Sequence, residues 1–487
     1  MSIREKTIQG VVWSAIQSWG SQVSSLLVFL VLARLLNPEA FGLVALAGVF
    51  LAFMQVFLEQ GFAQALVQRD ELEPEHLDTA FWASFATGII LTAIGVGIAP
   101  LCAIWFHQPQ LTPIIRGLSV LLTIASLSNV QRAVLERKFA FKAIALRYLV
   151  GTLVGGIVGI AFALWGGGVW SLVSQQLVQE GVGTAILWRV SDWRPQFKFS
   201  IVHLRQLFNF GINVLGMNFL GFFNNRADDL LIGYFLGTTA LGYYSVAYRI
   251  LTVMTELLVS TSSRVALPAF SRLQHEPDRF RNAFYSATRL TSAIAFPIFL
   301  GAATLAPELI QLLFGSQWQP SIPVMQILSF VGLLRSVTYF KGAIFMAMGK
   351  PDWHLKINLF STTLNLIGFS IAVRWGIVAV AAAYLMRACI VFPVSQAVVS
   401  KLIQTPMLVY LKQFFSPLLC SIMMASSLWL TRYFINDSIS LLFQLLLCTT
   451  VGIIVYLLSM RLLAPKLFQQ ILDIALSASL RTRNQHT

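Results

Sequence analysis

The residues best equipped for chemistry are charged groups placed where charge is expensive. Asn224, Asn225, Arg226, Asp228 and Asp229 sit in the middle of a long apolar run. Arg249 and Glu256 occupy the next run, and Glu59, Arg335 and Arg387 lie in three others. A charge at the bilayer centre costs at least about 2.5–3.5 kcal/mol on insertion scales unless it is paired or faces water. Such groups therefore pair internally or line a wet cavity. On a helix, Arg226 and Asp229 share a face, as do Asn225 and Asp229, while Asp228 points elsewhere. Arg249 and Glu256 share a face two turns apart. Each pair is either a structural ion pair or part of a hydrated cavity between two halves of the chain. Arg335 and Arg387 have no in-span acid close in sequence, which favours the cavity. Lys341 lies near the end of its run and is expected to snorkel to the interface.

The elements that must position these groups are membrane helices. The 487 residues are 57% hydrophobic and 11% charged, whereas soluble domains carry about 25% charged residues. About 20 apolar residues cross the hydrocarbon as a helix. Fourteen runs qualify: 11–36, 40–68, 78–106, 111–136, 142–165, 168–190, 207–236, 240–268, 284–313, 318–346, 353–375, 377–401, 413–434 and 438–462. A membrane β-barrel would instead show short alternating strands. The fold class is an all-α polytopic membrane protein.

The chain also reads as a duplication. LLNPEAFG at 35–42 matches FLGTTALG at 235–242, Ala99-Pro100 with Phe106 matches Ala306-Pro307 with Phe314, and Trp165-Gly166 matches Trp375-Gly376. Each half holds an even number of spans, so both enter from the same side and the repeat is parallel, about an axis along the membrane normal. The expected organisation is a six-helix lobe over 1–190, an interfacial linker over 191–206 that is either a helix or a plain loop, a second six-helix lobe over 207–401, and two extra helices with a tail over 402–487.

With the N-terminus inside, 25 of the 34 Lys and Arg residues fall in inner loops and tails, against Arg34, Arg116, Arg374 and Arg432 outside. This bias places both termini in the cytoplasm. It also accounts for the net charge of +14, which points to anionic lipid headgroups and not to nucleic acid. The first span reads as a signal anchor. Cys102, Cys389, Cys420 and Cys448 have no metal-ligand spacing. His76, His107, His203, His275, His354 and His486 pair with no other ligand or nucleophile along the chain and are assigned no chemistry. No nucleotide-binding loop is present, and neither a cofactor nor a metal is expected. Gly151, Gly155 and Gly159 form a stripe suited to close helix packing.

Beyond these physical readings, NNRADDLLIGYFLGTTALGYYSVAYRI (224–250) resembles the signature of bacterial polysaccharide and lipid-linked oligosaccharide flippases of the multidrug/oligosaccharidyl-lipid/polysaccharide exporter superfamily. LARLLNPEAFGLVAL (32–46), QGFAQALVQRDEL (60–72), ERKFAFKAIALR (136–147), GGGVWSLVSQQ (166–176) and RVALPAFSRLQ (264–274) are similar to segments in the same order in its colanic-acid-exporter-like, Wzx-type branch. The resemblance runs to about residue 400, and the last two spans are generic. One departure is Glu59-Gln60 before Gly61, where the family leads one to expect an Asp-type residue directly before the glycine.

The resemblance implies a non-enzymatic transporter of the bacterial inner membrane. It moves a polyprenyl-diphosphate-linked glycan between leaflets by alternating access, in partnership with membrane lipids and with polymerase and export machinery. Arg226, Arg249, Arg335, Arg387 and Asn225 are then the candidates for binding diphosphate and sugar, since arginine suits forked contacts to phosphate. Asp229, Glu256, Glu59 and Asp228 would orient the arginines or carry the coupling proton or cation. Two competitors are weighed. A multidrug antiporter of the same superfamily needs a cavity for organic cations, which surplus in-span arginine opposes. A membrane polymerase or ligase needs a large outer loop, which the chain lacks.

Overall fold

The computed structural model describes residues 3–59, 61–68, 73–435 and 440–473. Gln60, residues 69–72 of one family-like segment and the tail from 474 lie outside them, as do the side chains of 3–18, 68, 209–214 and 259–265. The regular structure of the described residues is helical throughout. In chain order the α-helices are α1 Ile3–Leu35, α2 Pro38–Leu58, α3 Phe62–Gln68, α4 Pro74–Trp105, α5 Leu111–Arg137, α6 Phe141–Leu164, α7 Trp170–Val190, α8 Ile201–Phe235, α9 Gly237–Leu273, α10 Pro277–Thr304, α11 Ala306–Leu313, α12 Ser321–Thr338, α13 Lys341–Ala347, α14 Pro351–Ala372, α15 Ile377–Leu402, α16 Met407–Phe434 and α17 Leu441–Leu463. In lipid no water can satisfy the backbone, so each segment bonds itself into a helix.

Every expected span coincides with a helix or a broken pair of helices. The second breaks between α2 and α3 next to Gly61, whose φ of 74° suits a glycine. The ninth breaks between α10 and α11 ahead of Pro307, which has no N–H to donate. Ten segments among the described residues are long and apolar enough to cross a membrane; α7, α8 and α9 are not among them, and α8 and α9 carry most of the in-span charge.

Helix starts follow capping rules. Asn37 Oδ1 accepts from the Ala40 amide at 3.0 Å, with Pro38 in the first turn of α2. Ser200 caps α8 by accepting from the His203 amide at 3.4 Å.

Packing divides the chain into two compact units. The first takes the described residues of Met1–Val246 and Asn365–Ile377, and the second those of Ala247–Leu364 and Val378–Thr487. Helices α9 and α14 contribute residues to both.

In the first unit α6 lies on α7 along the glycine stripe. A Cβ on Gly151 would come within 2.8 Å of the Gln179 carbonyl oxygen, and one on Gly155 within 2.6 Å of the Gln175 carbonyl oxygen. Small residues here let backbones touch where side chains would hold them apart. Helix α4 meets α5 in the same way, with Gly88 facing Ser126 and Gly95 facing Ser119, and Thr92 and Thr123 hydroxyls 2.8 Å apart between them.

Residues 191–200 are extended and α8 begins only at Ile201. Pro195 disfavours helix for itself and for its predecessor. The segment is instead stitched along α4: Trp82 Nε1 donates to the Gln196 carbonyl (2.7 Å), the Gln196 amide donates to Asp78 Oδ1 (2.9 Å), and the Ser200 amide donates to Thr79 Oγ1 (3.1 Å).

The similar segments at 35–42 and 235–242 meet in this unit. A Cβ on Gly42 would stand 1.7 Å from the Thr238 carbonyl oxygen, and one on Gly242 would stand 2.0 Å from the Pro38 carbonyl oxygen.

In the second unit α10 packs on α12 and α16, with α17 against α16. Tyr410 donates to the Val337 carbonyl (2.6 Å) and Tyr456 to the Ala293 carbonyl (2.5 Å). Arg432 pairs with the buried Glu308 at 2.8 Å.

Gly155→Leu is expected to lower thermal stability by about 1–3 kcal/mol through overpacking of the α6–α7 contact. Gly97→Leu, at a glycine with open space around it, should leave the melting temperature of the purified protein nearly unchanged.

Candidate substrate-binding site

In the first unit α8 carries the polar cluster. Arg226 Nη1 is 3.0 Å from Asp229 Oδ2, one turn along the helix. The Arg226 side chain keeps 44% of its accessible surface and Asp229 only 11%, so the pair has an exposed end and a buried end. Asp228 leaves that face and accepts from the buried Tyr244 hydroxyl at 2.8 Å. Asn225 is exposed. Asn224 is anchored by Asn365, whose Nδ2 donates to its side-chain oxygen at 3.1 Å. Glu59 lines a pocket of about 330 Å³ with Gln64, Asn129, Arg132 and Glu136, and none of the Arg226 group lines that pocket.

The second unit holds the other cations. Arg335 on α12 donates to the Tyr248 hydroxyl (3.5 Å) and to the Tyr384 hydroxyl. Its guanidinium carbon is 5.4 Å from the centre of the Tyr384 ring. That of Arg387 is 4.4 Å from the same ring, while Arg387 Nη1 donates to Ser361 Oγ at 3.0 Å. Two guanidinium groups thus share one buried aromatic, each attracted to the electron-rich ring face by cation–π forces. Lys341 lies within electrostatic range of both. Among the described residues none of these three cations makes an ion pair. Arg249 and Glu256, two turns apart on α9, attract one another.

The second unit also opens an apolar groove of about 1060 Å³, lined by Met254, Ile294, Ile298, Leu428, Gly452 and Tyr456 among others. Two further lining residues, Ile250 and Met325, stand on the same helices as Tyr248 and Arg335.

The structure therefore distributes the expected residues. Arg335 and Arg387 come together; Arg226, Asp229, Asp228 and Asn225 form a second group; Glu59 belongs to another pocket. Reading along the chain did not find Tyr384, Tyr244, Asn365 or the role of Lys341 beside the arginines. The hydrogen bonds Asp228–Tyr244, Arg335–Tyr384 and Asn224–Asn365 join residues 16 to 141 apart, so the fold brings those together, whereas Arg387 stands one turn from Tyr384 on α15. The apolar groove had no sequence signal, because its lining is ordinary membrane-helix composition.

An all-helical bundle with apolar outer faces and charge held inside defines a polytopic membrane protein. Residues 31–323 match the family described as polysaccharide biosynthesis protein, and the chain belongs to that family. It is 29% identical over 366 residues to the lipopolysaccharide biosynthesis protein WzxC of Escherichia coli, covering 75% of this chain and 74% of that one. It is 27% identical to the succinoglycan biosynthesis transport protein ExoT of Rhizobium meliloti, covering 97% of each. The teichuronic acid biosynthesis protein TuaB of Bacillus subtilis is 26% identical over 86% of this chain and 87% of its own. Among solved structures, the lipid II flippase MurJ in an inward closed conformation superposes with a TM-score of 0.76 at 15% identity, over 94% of this chain and 99% of that one. An inward-facing multidrug resistance MATE family transporter of the MOP superfamily gives 0.56 at 17% identity, over 80% and 96%. At such identities the structural likeness speaks for the fold. The Wzx-type resemblance carried by the sequence motifs is met.

Burial separates two ion pairs of the first unit. Arg147 and Glu180 pair at 2.8 Å with side chains 7% and 32% exposed. Glu180→Ala should therefore cost about 3–5 kcal/mol, since it leaves the buried Arg147 guanidinium without its partner. Asp229→Ala should cost less than about 1 kcal/mol in thermal unfolding, because the Arg226 it leaves keeps 44% of its side-chain surface exposed.

Proposed function

We propose that the protein flips a polyprenyl-diphosphate-linked oligosaccharide or polysaccharide precursor from the inner to the outer leaflet of a bacterial plasma membrane by alternating access. One observation carries this reading: Arg335 and Arg387 share Tyr384 and Lys341 lies within electrostatic range of both, with no ion-paired acid among the described residues. Three cations left so in a membrane protein make a place for a multiply charged anion, and guanidinium forks suit phosphate oxygens. The apolar groove of the same unit suits the polyprenyl tail.

Arg226, Asn225 and Arg249 are the further candidates for contact with diphosphate and sugar. Asp229, Asp228, Glu256 and Glu59 serve to orient them or to take up the coupling proton or cation. The relatives named for polysaccharide biosynthesis and transport support the same substrate class. A multidrug antiporter shares the superfamily fold, but an organic cation would be repelled by the group around Tyr384. A membrane polymerase or ligase is the weaker alternative. Polymerase and export proteins are the expected partners, in the plasma membrane and with both termini cytoplasmic.

Arg335→Ala and Arg387→Ala should each reduce flipping of a polyprenyl-diphosphate glycan in proteoliposomes about 10- to 100-fold, since a hydrogen bond to a charged group is worth about 1.5–3 kcal/mol. Protein level and melting temperature should stay near parental, and Lys should rescue poorly. Parental flipping rates in both variants would reduce the cluster to a structural feature.

Reporter fusions at residue 38 should report the outside, and fusions at residue 275 or at the C-terminus the inside. An outward C-terminus would rule out the even span count.

A further inference from the structure

At the start of α4 the fold unites histidines that are far apart in the chain. His76 is buried and its ring centre lies 3.9 Å from that of His203 on α8. His203 Nε2 is 3.5 Å from Glu73 Oε2 and 3.7 Å from Glu75 Oε2. Donor atoms of Glu73, His76 and His203 all lie within 4.8 Å of one another. His76 Nε2 is also 3.4 Å from Gln206 Oε1.

We propose that Glu73, His76 and His203 bind a divalent transition-metal ion of the zinc class, with Glu75 as a further oxygen donor, and that the ion clamps the segment before α8 onto α4. Zinc bonds of about 2.0–2.1 Å in a tetrahedron separate donors by roughly 3.3–3.5 Å. The His203–Glu73 distance already matches that edge, and side-chain rotation closes the remainder. Two imidazoles with carboxylate is a donor set that zinc favours, whereas calcium and magnesium take oxygen alone. Charge also balances, because two carboxylates offset a dication. The Gln206 contact orients the His76 ring, as outer-shell partners do for metal-binding imidazoles. Glu73 and Glu75 are largely exposed, which gives an ion a path from solvent.

The site has a structural consequence. Asp78, Thr79 and Trp82 of α4 already hold residues 196–200 through hydrogen bonds. A metal at His76 and His203 fastens the same strap one turn beyond Ser200, where α8 starts. Occupancy would make the attachment of this connecting segment depend on metal. The site is distinct from the cations around Tyr384 and does not rest on the proposed substrate.

The test uses the full-length protein in detergent, without a histidine tag and stripped by chelator. Zn²⁺ titrated in a calorimeter should bind one ion per chain and raise the melting temperature, while Mg²⁺ should do neither. His203→Gln and His76→Gln should each weaken Zn²⁺ binding more than tenfold, and His275→Gln should leave it unchanged. Co²⁺ in the parental protein should give the absorption spectrum of a tetrahedral nitrogen and oxygen site, which needs no variant to fold. Absence of Zn²⁺ binding, an octahedral Co²⁺ spectrum, or unchanged affinity in a folded His203→Gln protein overturns the proposal.

Discussion

An arginine in a membrane helix must be given something to face, and much of this architecture follows from that constraint. The cost of about 2.5–3.5 kcal/mol at the bilayer centre is met here in three ways. Arg147 is closed against Glu180 between two helices. Arg226 holds Asp229 on its own helix while leaving its other side exposed. Arg335 and Arg387 are given no carboxylate among the described residues and share the Tyr384 ring instead. The first solution saturates the charge. The last leaves most of its electrostatic capacity unspent, which separates a structural cation from one able to receive an anion.

The similar motifs at 35–42 and 235–242 add a second constraint, set by backbone and not by charge. Gly42 approaches the Thr238 carbonyl and Gly242 approaches the Pro38 carbonyl, so each copy offers the other the same pair of positions with numbers shifted by 200. A reciprocal exchange of this kind is what a local two-fold relation between equivalent surfaces produces. It requires glycine at both positions, since any Cβ would overlap a carbonyl oxygen. It uses no ion pair. A closure made of small residues and backbone can part without stranding a charge in hydrocarbon, which suits a transporter that must open and close repeatedly.

The helical class and the segment boundaries were legible because lipid imposes them on composition: long apolar runs punctuated by Pro, Gly and charge have few other readings. The face shared by Arg226 and Asp229 was legible from helical spacing, and the glycine stripe of α6 from its four-residue period. What lay beyond the sequence were contacts across distance. Tyr384 is an ordinary aromatic until Arg335 arrives from α12 to join Arg387 of its own helix. Lys341 read as a snorkelling lysine because one chain segment cannot reveal which cations neighbour it. His76 and His203 had no ligand spacing, since α4 and α8 meet only after folding. Residues 191–200 were open between helix and loop, and hydrogen bonds to α4 settled them as an extended strap.

The second unit places contacts of the cationic cluster and the lining of the apolar groove on the same two helices. Tyr248, which receives Arg335, stands two residues before Ile250 of the apolar groove. On α12, Met325 lines the groove and Arg335 lies ten residues further along, about 15 Å at 1.5 Å per residue. A ligand whose anionic head and apolar tail are covalently joined must meet both kinds of surface at a fixed separation, which rigid helices hold better than loops. A small organic cation has no use for such an arrangement: the cations around Tyr384 repel it, and a groove of about 1060 Å³ far exceeds what it fills. The pairing of charge with groove on shared helices therefore favours an amphipathic phosphate ester over a drug-like cation.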